Sequence, residues 1–289
     1  MPTKNPKRRE FFRRRRRPPG EGELHSRPER RRMRINKMKK GIFLLPSLLT
    51  LCSIFMSFYA IISGLKGHFL LAGGLILAAA FFDGIDGRVA RLTKTTTQFG
   101  LELDSLADVI SFGIAPALVM YVWALEPYGR VGWVTAFVFV ACGALRLARF
   151  NVQSGRVDAR RFVGLPIPAA ACMIATTVLF FRKVGLNPAD YGIMLLVLTY
   201  GLSFLMVSGV KFHAFKDLEY AKQKPFSSTV ALVLILALIA ASPLVVPFFL
   251  LAGYVGSGPI LTLVLHLRRK NVLESKTPEP EKVDAEATS

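Results

Sequence analysis

Cysteine and acid are both scarce in this chain of 289 residues. Its three cysteines, Cys52, Cys142 and Cys172, stand apart in apolar stretches with no CxxC pair and no neighbouring histidine. Redox and thiolate-metal chemistry need such clusters, so each cysteine reads as a small buried hydrophobe. The histidines, His25, His68, His213 and His266, are scattered and receive no catalytic task. No repeat of fixed period is present, nor the ten-residue alternation of an outer-membrane barrel. Asp and Glu together number 19 against 38 Lys and Arg, and the basic excess is local. Residues 1–40 hold 17 Lys or Arg against 4 Glu, a net of +13, which leaves only +6 for the other 249.

What the chain has in abundance is apolar surface. A hydrophobic fraction of 52% and a mean hydropathy of +0.41 exclude an ordinary soluble domain. Mixtures of Leu, Ala, Ile, Phe and Gly predict an all-α fold, a polytopic membrane helical bundle of about eight transmembrane helices. The spans fall near 42–63, 70–91, 100–124, 131–150, 166–181, 190–210, 228–242 and 245–267; Pro243 and Pro247 also suit a broken or re-entrant segment. The domain reading is a basic, disordered cytoplasmic tail over 1–40, a transmembrane catalytic domain over 41–270 and a short disordered tail over 271–289. Arg13 to Arg17 followed by Pro18 and Pro19 suit contact with anionic headgroups of the bilayer, and no nucleic acid is expected as a partner. With that tail in the cytoplasm, inner loops carry Arg88, Arg91, Lys94, Arg146, Arg149, Arg156, Arg160, Arg161, Lys211, Lys216, Lys222 and Lys224. Outer loops carry only Lys66, Arg130, Arg182 and Lys183, the asymmetry that positive-inside orientation requires. A short interfacial helix over 211–227 and a plain solvated loop explain that segment about equally.

Against this apolar background four aspartates stand out, in FFDGIDGRVARLTKTTTQFGLELDSLADVISFG. Charge inside a membrane segment is costly and marks function. Asp83 and Asp86 are spaced i, i+3, and Asp104 and Asp108 i, i+4, so each pair shares one face of a helix. Two facing helices bring four carboxylates to one point. An all-oxygen donor set suits Mg²⁺, Mn²⁺ or Ca²⁺ rather than zinc or copper. Gly87, Ala90 and Gly100 each lie about one turn from an aspartate and let a diphosphate or a facing backbone approach closely. Arg91 can make two hydrogen bonds to a phosphate, although a snorkelling arginine explains it as well. Lys94, Thr95, Thr96 and Thr97 could reach a diphosphate too, and a solvated loop accounts for them equally.

From Asp86 the spacing D-G-x₂-A-R-x₈-G-x₃-D-x₃-D resembles the signature of the CDP-alcohol phosphatidyltransferase family at all seven fixed positions: Asp86, Gly87, Ala90, Arg91, Gly100, Asp104 and Asp108. At about one in twenty per position, chance would produce this on the order of once in a million such chains. Asp83 matches an additional aspartate often found upstream. The resemblance implies an enzyme of that family's fold, with two Mg²⁺ or Mn²⁺ ions held by Asp83, Asp86, Asp104 and Asp108. It implies Gly87, Ala90, Arg91 and Gly100 at the nucleotide and diphosphate, and Asp108 as the catalytic group that takes the acceptor's proton. It further implies a homodimer in the cell (inner) membrane with its active site facing the cytoplasm. The segments Leu45 to Leu51, Leu145 to Asn151 and Phe162 to Ala171 are similar to those of the family's bacterial, membrane-embedded phosphatidylserine synthase branch. The expected substrates are therefore CDP-diacylglycerol and L-serine, with CMP released.

Serine presents a carboxylate, so Arg146, Arg149 and Asn151 are the expected acceptor-binding residues, with positive-inside anchoring as the competing account of the arginines. Gly164, Pro166 and Pro168 suit a turn followed by a helix start that shapes the pocket wall. Phosphatidylglycerophosphate synthesis is the alternative within the family, and it asks for a denser basic pocket. A cation transporter is the rival from another class. It would string carboxylates along a pore, whereas these gather at one end.

Overall fold

The computed structural model describes residues 27–93, 97–153, 164–210 and 225–274, and no strand occurs among them. The chain divides into two compact units, Met1–Gly41 and Ile42–Ser289. The first is helical from Arg27, and every candidate site residue belongs to the second. The helices are α1 (Arg27–Leu65), α2 (Phe69–Thr93), α3 (Gln98–Asp108), α4 (Ala115–Met120), α5 (Gly129–Gln153), α6 (Ile167–Val184), α7 (Gly192–Val207), α8 (Pro225–Ala241) and α9 (Val246–Glu274). Helix thus covers Arg27–Lys40, which composition had placed in a disordered tail. Pro28 and Glu29 suit a first helical turn, and the apolar span that follows extends the same helix. At the other terminus α9 runs on to Glu274. The rest of both tails, the loop residues Lys94, Thr95 and Thr96, the stretch 154–163 and the expected interfacial segment over 211–224 lie outside the described residues.

Among the described residues, five helical runs are long and apolar enough to cross a membrane. One of them, Gln98–Val152, makes two passes, because α5 packs back along the segments that precede it. The reversal sits at Gly129, whose φ of +52° suits glycine, just after a 3₁₀ turn over Glu126–Tyr128. Gly132 completes it: a Cβ there would stand 2.0 Å from the Leu125 carbonyl oxygen. The shorter apolar helices Leu232–Ala241 and Val246–Ile260 bring the count to about the eight spans expected. Pro243 falls in the turn between α8 and α9, and Pro247 sits in the first turn of α9.

Helices α2 and α6 pack closely and run antiparallel. A Cβ on Gly73, near the start of α2, would touch the Ala175 carbonyl and the Leu179 side chain at 3.1 Å, near the end of α6. Toward the other end, Cys172 of α6 lies within electrostatic range of Asp83 of α2. The core is built from Ile76, Phe112, Met120, Phe139, Ile174 and Leu202, all essentially inaccessible. Four hydroxyls within it are satisfied locally: Thr135, Thr177, Thr199 and Ser203 each donate to the carbonyl four residues earlier. That is what a medium without water demands. Phe55, Phe58, Phe137, Phe204 and Leu234 face outward, where acyl chains replace water.

The start of α6 is pinned as the Gly164-Pro166-Pro168 pattern predicts. Gly164 adopts φ +88°, and its N–H donates to the Val210 carbonyl at 2.9 Å. Leu165 N–H donates to the Leu205 carbonyl, and a Cβ on Gly164 would stand 2.4 Å from the Met206 carbonyl oxygen.

Candidate active site

Three helices meet at the aspartates. Asp83 and Asp86 sit on α2; Asp104 and Asp108 sit on α3; and α1 supplies hydroxyl groups from the side. Helix α3 starts cleanly because Thr97 is extended and its side chain accepts the Gly100 N–H at 3.0 Å. Immediately after Asp108 the backbone widens into a π-helix over Val109–Ile114, with the Ala115 N–H reaching back five residues to Ile110. Pro116 lacks an N–H and clashes with an ordinary helical turn, which favours such a bulge.

The spacing argument holds in three dimensions. One carboxylate oxygen each from Asp83, Asp86 and Asp104 lie within 4.8 Å of one another, and the Asp108 carboxylate stands beside that of Asp83. Asp86 is 3% exposed, and its Oδ2 lies 2.9 Å from the Thr50 hydroxyl, which also stands 3.0 Å from the Pro46 carbonyl. One hydroxyl proton serves either acceptor, so Thr50 holds Asp86 in place without neutralising it. No ion pair to any of the four carboxylates is present among the described residues. Like charges gathered in a half-buried, oxygen-only site call for cations.

Beside the carboxylates opens a cleft of about 340 Å³, lined by Ser47 and Thr50 of α1, by Gly87, Ala90 and Arg91 of α2, and by Gly100 and Asp104 of α3, among others. Gly87 is not a packing glycine, because a Cβ added there meets nothing within 4 Å. The space it leaves open belongs to the cleft. Gly100 is small for a different reason: a Cβ would press on the Thr97 cap at 3.2 Å. Arg91 donates Nε–H to the Gly87 carbonyl at 2.9 Å, which fixes the stem and leaves its terminal nitrogens for a ligand.

The match to a family model described as CDP-alcohol phosphatidyltransferase covers residues 43–207, more than half of the chain and all of this site. The chain belongs to the CDP-alcohol phosphatidyltransferase family. Similar proteins named CDP-diacylglycerol–serine O-phosphatidyltransferase occur in three distant bacteria. The Helicobacter pylori protein is 41% identical over 179 residues, covering 62% of this chain and 76% of its own. The Mycobacterium tuberculosis protein is 37% identical over 220 residues, 74% of this chain and 75% of its own. The Bacillus subtilis protein is 35% identical over 173 residues, 60% of this chain and 91% of its own.

The three expected acceptor residues are placed differently from one another. Arg146 is half-buried and lies within electrostatic range of Asp108, with its Nε buried and without a hydrogen-bond partner. Asn151 donates Nδ2–H to Ser105 Oγ at 3.0 Å and ties the end of α5 to α3 beside Asp104. Arg149 is exposed on the same helix. Ser47 and Thr50 of α1, which line the cleft, lie within the Leu45 to Leu51 segment but are not among the site residues expected from the sequence. The signal was there: hydroxyls at 47, 50, 53 and 57 recur every three to four residues along an otherwise apolar helix, marking a polar face. Ser53 uses that face to donate to the Ala79 carbonyl of α2 at 3.1 Å, beside Ser111 of the π-helix.

Proposed function

We propose that this chain is a multi-pass membrane enzyme that transfers the phosphatidyl group of CDP-diacylglycerol to the hydroxyl of L-serine and releases CMP. The observation that carries the reading is the meeting of three carboxylates within 4.8 Å beside a cleft that Gly87 keeps open. The donor set fits hard dications, and Asp83, Asp86, Asp104 and Asp108 would hold two ions, Mg²⁺ or Mn²⁺, with Ca²⁺ also compatible. Bound there, such ions neutralise diphosphate charge and stabilise the charge that develops on the leaving phosphate. Gly87, Ala90 and Gly100 leave room for the nucleotide's diphosphate, and the free end of Arg91 pairs with it.

Asp108 accepts the proton of the serine hydroxyl, whose oxygen attacks the lipid-side phosphorus while the bond to the CMP oxygen breaks in line. Arg146 receives the serine carboxylate through its unpartnered Nε, with Arg149 and Asn151 at the rim of the same pocket. The site faces the cytoplasm from the inner membrane, with the basic N-terminal tail against anionic headgroups, and the enzyme works as a homodimer. Gly253 and Gly256 have open space where a Cβ would stand, as a helix–helix contact between subunits would use.

The test is CMP release by the purified protein in detergent, with CDP-diacylglycerol, Mn²⁺ or Mg²⁺, and serine, glycerol 3-phosphate or no acceptor. Serine should raise release well above the acceptor-free rate. Release with glycerol 3-phosphate and not with serine would overturn the acceptor while leaving the family intact.

A further inference from the structure

Buried hydroxyls in this bundle behave in two ways. Thr135, Thr177, Thr199 and Ser203 close on the backbone of their own helix. Ser53 of α1 crosses to other elements instead: its Oγ lies 3.1 Å from the Ala79 carbonyl oxygen of α2 and 3.4 Å from Ser111 Oγ of the π-helix. A serine hydroxyl has one proton to give, so the shorter contact takes it, and the longer, weaker one is left for Ser111 to donate back. All three residues are wholly buried, where a satisfied polar contact holds its geometry and a broken one is costly.

Chain order shows what this node sits beneath. In a regular α-helix the Asp83 N–H donates to the Ala79 carbonyl, so Ser53 grips the turn from which Asp83 projects. Ser111 follows Asp108 by less than one turn, and Ser53 follows Thr50, the partner of Asp86, by the same interval. On three elements, then, the node lies about one turn from a group of the carboxylate cluster. Like charges push apart unless their backbones are held. Ser57 supplies the contrast: it lies one turn further along α1, is just as buried, and its Oγ has no hydrogen-bond partner among the described residues.

We propose that Ser53 is a positioning residue for the carboxylate cluster, its hydroxyl pinning the Ala79 turn of α2 against the π-helix behind Asp108 so that Asp83 and Asp108 keep their separation. The inference rests on the reading of these aspartates as ligands for Mg²⁺ or Mn²⁺, and it makes α1 part of the frame that fixes them.

Mn²⁺ binding to the metal-free full chain in detergent tests this without turnover, read by electron paramagnetic resonance of the free ion beside a thermal melt. Ser53→Ala should weaken Mn²⁺ binding about tenfold, the lower end of what losing an outer group costs a metal site. Ser57→Ala should leave the affinity within about twofold, because it removes a hydroxyl that holds nothing. In turnover, the Mn²⁺ concentration for half-maximal CMP release should shift with Ser53→Ala as binding does, and saturating Mn²⁺ should bring kcat back to within about threefold. A Ser53→Ala protein that loses thermal stability while its Mn²⁺ affinity is unchanged would show a plain packing role and overturn the proposal. Equal weakening by Ser57→Ala would overturn it too, since any loss on this face would then suffice. Ser53→Cys, which keeps the shape with a weak donor, serves if the alanine variant is not recovered folded, and unchanged Mn²⁺ affinity there would count against the proposal equally. Wild-type protein that binds no Mn²⁺ would instead remove the reading of the cluster as a metal site, and this inference with it.

Discussion

At one end of the bundle, aromatic rings close on one another. Phe180 stacks on Phe248 at 4.4 Å, Trp123 meets Phe181 edge-on at 5.3 Å, and Tyr191 meets Phe181 at 5.6 Å. At the other end of α2 and α6, four carboxylates gather with no cation paired to them among the described residues, beside an open cleft. The first end gains about 0.5–1.5 kcal/mol per aromatic pair beyond the area buried. The second loses free energy through like charge until a ligand arrives. Folding energy and catalytic readiness are therefore held in different places. Helices locked together at the aromatic end keep the carboxylates in register at the other, and strain at a functional site persists when surrounding structure over-determines it.

Substitutions at the two ends should have opposite signatures. Asp108→Asn should lower kcat by about 10³-fold or more, as loss of a group used in the chemical step does, while the folded protein is still recovered. Steady-state CMP release and a thermal melt check both halves, and retained turnover would remove Asp108 from the mechanism. Phe181→Ala should do the reverse. Its buried ring joins three aromatic contacts, so stability should fall by about 3–5 kcal/mol while activity per folded molecule holds. A denaturation midpoint measured beside a specific activity separates the two effects.

Gly87→Ala sharpens the comparison within the catalytic end. A Cβ there meets no protein atom, so the melting temperature should stay the same or rise, while kcat/KM for CDP-diacylglycerol falls about 10- to 100-fold. Equal loss of stability and activity would return this glycine to packing. The smallest effect belongs to Thr50→Val, which removes the hydroxyl beside Asp86. Activation by Mn²⁺ should need about tenfold more metal, as expected when an outer group that orients a ligand is lost. Added Mn²⁺ should also raise the wild-type melting temperature more than that of Asp86→Asn, because an ion that binds only the folded form stabilises it.

Much of this was legible in the chain before any coordinates, because the relevant patterns are local. Hydropathy over windows of about twenty residues locates membrane spans, and the i, i+3 and i, i+4 spacings place Asp83 with Asp86 and Asp104 with Asp108 on shared helix faces. Helix in Arg27–Lys40 was missed because composition weighs charge and not continuity with the span that follows. The π-helix after Asp108 left only Pro116 as its trace.

Alone, the linear order of residues determined where the membrane spans fall, which of them carry charge, and the family to which that charge pattern belongs. Only the packed bundle decided that the Thr50 hydroxyl meets Asp86, that Arg91 turns back to its own backbone, and that Arg146 lies within reach of Asp108. Such meetings depend on how each helix is rotated about its axis against its neighbours. That rotation is set by many small packing contacts distributed over the whole core, and no single stretch of sequence contains it.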